Sequence, residues 1–456
     1  MVDPLRVLPL DIVNLILQYF DFKQTVAILR VSKKWERFLS SIPRLWTHLD
    51  LSTGHVPVSL LAIETYVDSQ GRLTHATVNK ISQSALDPAL GLLSRCPHLT
   101  YLEVGASFDG RRLYELFKTC TSLTTLVISA SVPLTQTYLS RFLTSIPNIE
   151  RLECHRAIRS LLTEVQWPAK LPRLKVLALS WQGADSISGF RTIPIPYHEI
   201  PDMDLTTEFW RTREQKIFDL IPNLQKLSLR YQSQLPSGHT DCNIYLDDIC
   251  YPRLQKLEIS GLQLQLEHQF SARLEHLCLY RFRTNILAEL HSSIQLPNLK
   301  VFVLDDVFFT DPSLLDALLQ TVDSTLKVLQ VSHCQLISGH DIARIASTTR
   351  AFRGLTSLML GGEAVGMRDL DNMVVSGLLN GMPELKVLRI PHSDVTGSIV
   401  RKIADLRVAS NDHGSAEEGM MPQIEQLDIR GCEKVSSRMV KYGRRRGIQI
   451  IEDCLI

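Results

Sequence analysis

The chain has 456 residues, 45% of them apolar, and its 49 lysines and arginines nearly balance 48 aspartates and glutamates, leaving a net charge of +1. Such a composition supports a large buried core rather than disorder, and it offers no global basic excess for nucleic acid or an anionic membrane surface. No apolar run approaches the ~20 residues of a membrane span, and no uninterrupted apolar stretch follows a basic start as a secretory signal requires.

From the N-terminus, Ile12, Leu15, Ile16 and Tyr19 recur at helical spacing behind Pro9, which suits the first turn of a helix. Asp21 and Ser32 are good N-caps for two further short helices, the second of them running through Trp35 and Phe38. Three helices in about 45 residues bury too little to stand alone. They must lean on the rest of the chain or on a partner.

Beyond these helices the chain is dominated by a repeat of the form apolar-x-x-apolar-x-apolar. Two weak copies, Trp46-Leu49-Leu51 and Leu73-Ala76-Val78, precede a series that begins Leu99-Leu102-Val104, Leu123-Leu126-Ile128, Ile149-Leu152-Cys154 and Leu174-Leu177-Leu179. It resumes at Leu224-Leu227-Leu229, Leu254-Leu257-Ile259, Leu274-Leu277-Leu279 and Leu299-Phe302-Leu304. It closes with Leu326-Leu329-Val331, Leu355-Leu358-Leu360, Leu385-Leu388-Ile390 and Ile424-Leu427-Ile429. The second and third apolar positions alternate on a short strand, so both point inward. One repeat cannot bury that face alone, and stacking in parallel makes a continuous core. A proline often stands two residues before the first apolar position, as at Pro97, Pro147, Pro172, Pro222, Pro252, Pro297, Pro383 and Pro422, where it stops a preceding helix. Helix-like stretches at Arg111 to Cys120, Tyr138 to Ser145, Ser313 to Thr321 and Asp341 to Ser347 are expected on the convex side.

The residues between the buried positions face the concave side. Among them Tyr101, Arg151, Lys226, Arg230, Tyr280, Met359, Arg389 and Arg430 are the candidate substrate contacts, because tyrosine and arginine dominate interfaces. Glu103, Glu153, His155, Glu258 and Asp428 share that ribbon. The spacing fails between Leu174 and Leu224, so a loop insertion is expected near 181–215, and a second, polar one near 408–421. The cluster Lys441 to Arg446 ahead of Gly447 has two readings, a nuclear-import or phosphate-binding patch and, more strongly, cations offsetting a helix C-terminus, with the glycine as left-handed cap before a last strand at Ile448 to Ile451.

Catalytic machinery is not expected. No phosphate-cradling loop, zinc-protease helix or nucleophile elbow occurs. In Cys154-His155 and His333-Cys334 the neighbouring side chains leave a strand on opposite faces. The nine cysteines contain no Cys-x-x-Cys pair, so neither a disulfide framework nor a metal site is expected, and no cofactor is implied. Buried, reduced thiols suit a cytoplasmic or nuclear protein.

Residues 4–50 resemble the F-box closely. The resemblance lies in the Leu8-Pro9 entry, the Ile12-x-x-x-Ile16 helix ending in Tyr19-Phe20, the Leu29-x-Val31-Ser32-Lys33-x-Trp35 run, and the close at Pro43-x-Leu45-Trp46. That close is typical of fungal F-box proteins with leucine-rich repeats. The copies at 329–346 and from Leu427 to Cys432 look like the cysteine-containing repeat subtype of such proteins. The resemblance implies an α/β fold: a three-helix F-box at 4–50, then a leucine-rich-repeat solenoid, a horseshoe of roughly 13 repeats over 51–456 with parallel strands inside and helices outside. By position, the adaptor-facing residues are Leu8, Pro9, Ile12, Ile16, Phe20, Leu29, Val31 and Trp35. The implied function is a non-catalytic substrate receptor of an SCF-type ubiquitin ligase. A Skp-family adaptor would link it to a cullin and a RING subunit while the repeats hold a protein substrate. The alternative is a scaffold that binds the adaptor without a cullin.

Overall fold

The computed structural model describes residues 7–17, 19–20, 22–51, 63–64, 67, 72–79, 83–105, 110–129, 136–157, 171–182, 223–232, 243–246, 253–260, 263–266, 273–281, 296–309, 313–322, 325–334, 337–361, 369–412 and 422–452. The N-cap expected at Asp21 lies outside them, as do nearly all of the 181–215 insertion and the 408–421 insertion beyond Asp412. The chain divides into two compact units, Met1–Leu224 and Gln225–Ile456.

The first unit opens on three short helices, α1 (Leu10–Leu17), α2 (Phe22–Leu29) and α3 (Lys33–Ser40). The Pro9 carbonyl accepts the Ile12 and Val13 amides, which starts α1 behind the proline. Ser32 caps α3, its Oγ accepting the Trp35 amide at 3.2 Å. A 3-10 turn, Pro43–Trp46, then leads into β1 (His48–Asp50). The first unit continues with β2 (His75–Val78), α4 (Gln83–Leu93), β3 (Tyr101–Val104), α5 (Gly110–Thr119), β4 (Thr125–Ile128), α6 (Gln136–Ser145), β5 (Arg151–Ala157) and β6 (Val176–Gln182). Each strand pairs in parallel with the next, β1 through β6. The register aligns Leu49, Ala76, Leu102, Leu126, Leu152 and Leu177, all buried. The repeat pattern is therefore the core. In the helix layer behind it, Phe117 and Phe142 meet edge to face, with ring centroids 5.0 Å apart.

A threonine ladder fixes the stacking of the first unit. The Thr47 carbonyl accepts the amides of Thr74 and His75 and also the Thr74 hydroxyl. Thr74 serves Thr100 in the same way, and Thr100 serves Thr124. Each hydroxyl thus supplies a third donor to a carbonyl at the strand entrance, where a solvent-facing threonine costs the core nothing.

The second unit comprises β7 (Lys226–Gln232), β8 (Asn243–Leu246), β9 (Lys256–Ser260), β10 (Gln263–Leu266), β11 (His276–Tyr280), β12 (Val301–Asp305), α7 (Ser313–Gln320), β13 (Val328–Ser332), α8 (Gly339–Thr348) and β14 (Ser357–Gly361). It ends with α9 (Asn372–Gly381), β15 (Val387–Arg389), α10 (Gly397–Asp412), β16 (Gln426–Asp428), α11 (Ser437–Arg445) and β17 (Gln449–Ile451). Its main sheet runs β7, β9, then β11 through β17, every pair parallel. Strands β8 and β10 form a separate parallel pair. Between β7 and β12 no helix occurs among the described residues, where the sequence pattern expects helices to alternate with strands. Between β9 and β11 the physical reason is length: they start only 20 residues apart, too few for a strand, two turns and a helix of ordinary length.

The strands of the second unit leave the sheet through a shared left-handed residue. Arg281, Asp306, His333, His392 and Gly431 occupy the same repeat position, with φ of 52, 56, 54, 57 and 69°. The amides of the first three donate to the last residue of the following strand, at Asp305, Ser332 and Gly361, and that of His392 to Arg430 just beyond β16. Only the last is glycine, because the His392 ring lies where its side chain would be. Gly447, with φ of 83°, ends α11 as the sequence suggests, and the Ile448 amide returns to Gly443. The chain is an α/β protein: three helices lead into repeats whose strands stack in parallel register within each unit.

Candidate functional site

Two surfaces stand out, one on the N-terminal helices and one on the open face of the sheet. On α1, Val13 and Leu17 are buried, while Ile12, Leu15 and Ile16 point to solvent with Tyr19 just beyond the helix. The stripe at helical spacing therefore faces outward. Ile12 and Ile16 are each 42% exposed, Val31 66% and Tyr19 87%, with Val7 and Leu8 beside them in the same class. Of nine large apolar side chains exposed among the described residues, seven lie between Val7 and Val31. Their concentration on about 25 residues marks a surface built to be covered.

Among the other candidates, Pro9 is exposed, Phe20 and Trp35 are half-buried, and Leu29 is buried within the helical hook. Trp35 packs edge-on to Phe38 at 6.2 Å. Trp46 secures the hook: it is 1% exposed, and its indole Nε1 donates to the Leu39 carbonyl at 2.9 Å. The bond joins the end of α3 to the turn that becomes β1.

The F-box-like family model matches residues 5–52. Residues 5–52 are an F-box-like domain. No curated protein matches the chain. Among solved structures, a chain of the crystal structure of the Rad7 and Elc1 complex in yeast aligns over 94% of this chain and 97% of its own length. Its identity is 14% and its TM-score 0.44, a likeness too loose to carry a functional argument.

Behind the F-box-like domain, the open face of the first unit carries a row of rings. His48 and His75 stack at 4.3 Å and 14°, and His75 continues onto Tyr101 at 5.6 Å and 22°. Each imidazole is oriented by its neighbour, His48 Nδ1 with the Thr47 hydroxyl at 2.7 Å and His75 Nδ1 with the Thr74 hydroxyl at 2.9 Å. Burial, with His48 alongside, lowers the His75 pKa, so His75 is uncharged at neutral pH. The Tyr101 hydroxyl donates to Glu103 Oε2 at 2.9 Å, and Asn79 Nδ2 to Glu103 Oε1 at 2.6 Å. Burial, then the hydrogen bond to Glu103 and the charges of Glu103 and Glu153, push the Tyr101 phenol up to about 12. It remains a donor at every physiological pH. Two strands on, Arg151 Nε donates to Glu153 Oε1 at 2.7 Å, with His155 on the far side of the same carboxylate. An open pocket of about 450 Å³ lies between Tyr101 and Arg151.

In the second unit, Arg230 pairs with the buried Glu258. Burial raises the Asp428 pKa, but the hydrogen bonds and charge of Arg430, with Arg389 nearby, outweigh it and leave that pKa lowered. Burial pushes Tyr280 up to about 12. Lys226 and Met359 are half-buried, and Met359 stands between Gln330 and Arg389 on neighbouring strands. Arg389 and Arg430 project to solvent. Tyr101 and Arg151 share one pocket in the first unit, while in the second unit Lys226 and Arg230 lie on β7, Tyr280 on β11, and Met359 and Arg389 on the adjacent β14 and β15.

The thiols point away from chemistry. Cys154 and Cys334 are buried and burial pushes both up to about 12, while their neighbours His155 and His333 lie on the open side. Ser332, His333 and Asp305 form no relay, because the hydroxyl and the imidazole both bond to the same Asp305 Oδ1, at 2.7 and 2.9 Å. Among the described residues no group of three or more metal-ligating side chains assembles, and no helix is long and apolar enough to cross a membrane.

Proposed function

We propose that the chain is the substrate-recognition subunit of a Skp–cullin–F-box ubiquitin ligase, working in the cytoplasm or nucleus. The F-box-like domain binds a Skp-type adaptor, through which a cullin and a RING subunit are recruited, and the open face of the repeats holds the protein to be modified. The carrying observation is the cluster of exposed apolar side chains on α1, located within the segment that the F-box-like model matches. Leu8, Pro9, Ile12, Ile16, Phe20, Val31 and Trp35 form the docking surface in this reading, and Leu29 supports it from beneath. The chain contributes no bond-making group. It raises the effective concentration of an acceptor lysine beside a thioester held by other subunits, which is rate acceleration by proximity alone.

The test is capture of the intact chain from cells beside a Leu8→Ala/Pro9→Ala variant, probed for adaptor and cullin. Both partners are expected with the intact chain and neither with the variant. Adaptor without cullin would instead make the chain a scaffold, and neither partner with either form would contradict adaptor binding altogether.

A further inference from the structure

The pocket on the first unit has a shape and a charge that its own residues do not use up. In strand register, Tyr101 and Arg151 stand on either side of Thr125, and Glu103 and Glu153 on either side of Val127. A small side chain between two large ones leaves a slot, and strands spaced ~4.8 Å apart put the walls about 10 Å from each other. One face of the Tyr101 ring is covered by His75. Its other face looks across Thr125 into the slot.

The two carboxylates differ. Glu153 is neutralised by Arg151. Glu103 is half-buried and held by two uncharged donors, the Tyr101 hydroxyl and the Asn79 amide, with no cation paired to it among the described residues. Arg151 and His155 both lie beside Glu153, so the cationic groups of the slot gather at one carboxylate and Glu103 is left with neutral donors only. A half-buried carboxylate without a counter-charge, beside an open aromatic face, is complementary to a flat cation. Guanidinium fits better than ammonium, because it stacks on a ring while its fork of N–H donors reaches a carboxylate in the same plane.

We propose that this slot is a subsite for an arginine side chain of the protein received by the open face, its guanidinium laid on Tyr101 and hydrogen-bonded to Glu103. Glu153 closes the far wall and Val127 packs against the aliphatic stem. The inference rests on the receptor reading for its biological meaning, and it gives that reading a substrate class: a segment that presents an exposed arginine.

The experiment uses the full chain and a fluorescein-labelled peptide, Gly-Ser-Gly-Arg-Gly-Ser-Gly, followed by fluorescence anisotropy. A citrulline version is the uncharged isostere, and a phosphoserine version tests the opposite charge. The arginine peptide is expected to bind roughly tenfold more tightly than the citrulline peptide, the scale of one charge-assisted hydrogen bond. Glu103→Gln should remove most of that difference by weakening the arginine peptide alone, while Glu275→Gln in the second unit changes neither. Equal affinities for arginine and citrulline, no binding of the arginine peptide up to about 5 mM, a preference for phosphoserine, or an unaltered difference in Glu103→Gln would each overturn the proposal. Adaptor capture measured on the same samples reports separately on the F-box-like domain, so a failed subsite and a failed receptor reading give different results.

Discussion

Ile12→Asp combined with Ile16→Asp is expected to weaken adaptor binding by roughly a hundredfold or more while leaving the fold in place. Both side chains are exposed while Val13 and Leu17 are the buried positions of α1, so the substitutions leave those core residues in place. Exposed substitutions of this kind change stability by only about 0.5 kcal/mol each. In a complex, by contrast, two carboxylates would sit unpaired in an apolar interface, where each costs several kcal/mol to desolvate. Titration calorimetry with a purified Skp-type adaptor measures the loss, and thermal unfolding of the free chain checks the fold. Undiminished affinity would remove α1 from the docking surface.

Trp46→Ala acts by a different route. The side chain is 1% exposed and its indole N–H satisfies the Leu39 carbonyl inside the protein. Truncation leaves a cavity worth about 3–5 kcal/mol and removes the indole hydrogen bond, while the Leu39 carbonyl keeps the Ile42 amide at 3.0 Å. That exceeds what three eight-residue helices can hold by themselves. In a repeat protein each layer depends mainly on its neighbours, so the damage should stay near the N-terminus. Limited proteolysis is expected to cut the variant within residues 7–51 and to leave the repeats protected. A variant as resistant as the intact chain would show that Trp46 does not couple the hook to β1.

Much of this architecture is legible in residue order. The period-2 alternation of the repeats translates directly into buried and open positions, since parallel stacking in register places every Leu of a column on the same side. That is why Leu102, Leu126 and Leu152 are assignable to the core, and Tyr101 and Arg151 to the open face, from sequence alone. The outward stripe of α1 is also present as Ile12, Leu15, Ile16 and Tyr19, but spacing alone does not say which side of a helix is buried. Leu29 illustrates the same limit, because a motif position carries no statement of exposure. The β8–β10 pair escapes sequence reading although Gln263 to Leu266 alternates, since the repeat pattern expects a helix between strands and only the 20-residue spacing argues against it. Other features lie beyond sequence reading for a physical reason. The left-handed exits at Arg281, Asp306, His333 and His392 use residues that carry no glycine signal. The Tyr101–Glu103–Asn79 hydrogen bonds join residues up to 24 positions apart, which become neighbours only once the register between β2 and β3 is fixed.

The central claim is that the exposed apolar face of the F-box-like domain is where an adaptor docks. Hydrogen–deuterium exchange of the full chain with and without a purified Skp-type adaptor tests it most directly. Protection is expected across residues 8–20 and 31–35, with the strands from β2 onward unchanged. Protection on the repeats alone, or no protection at saturating adaptor, would contradict the claim.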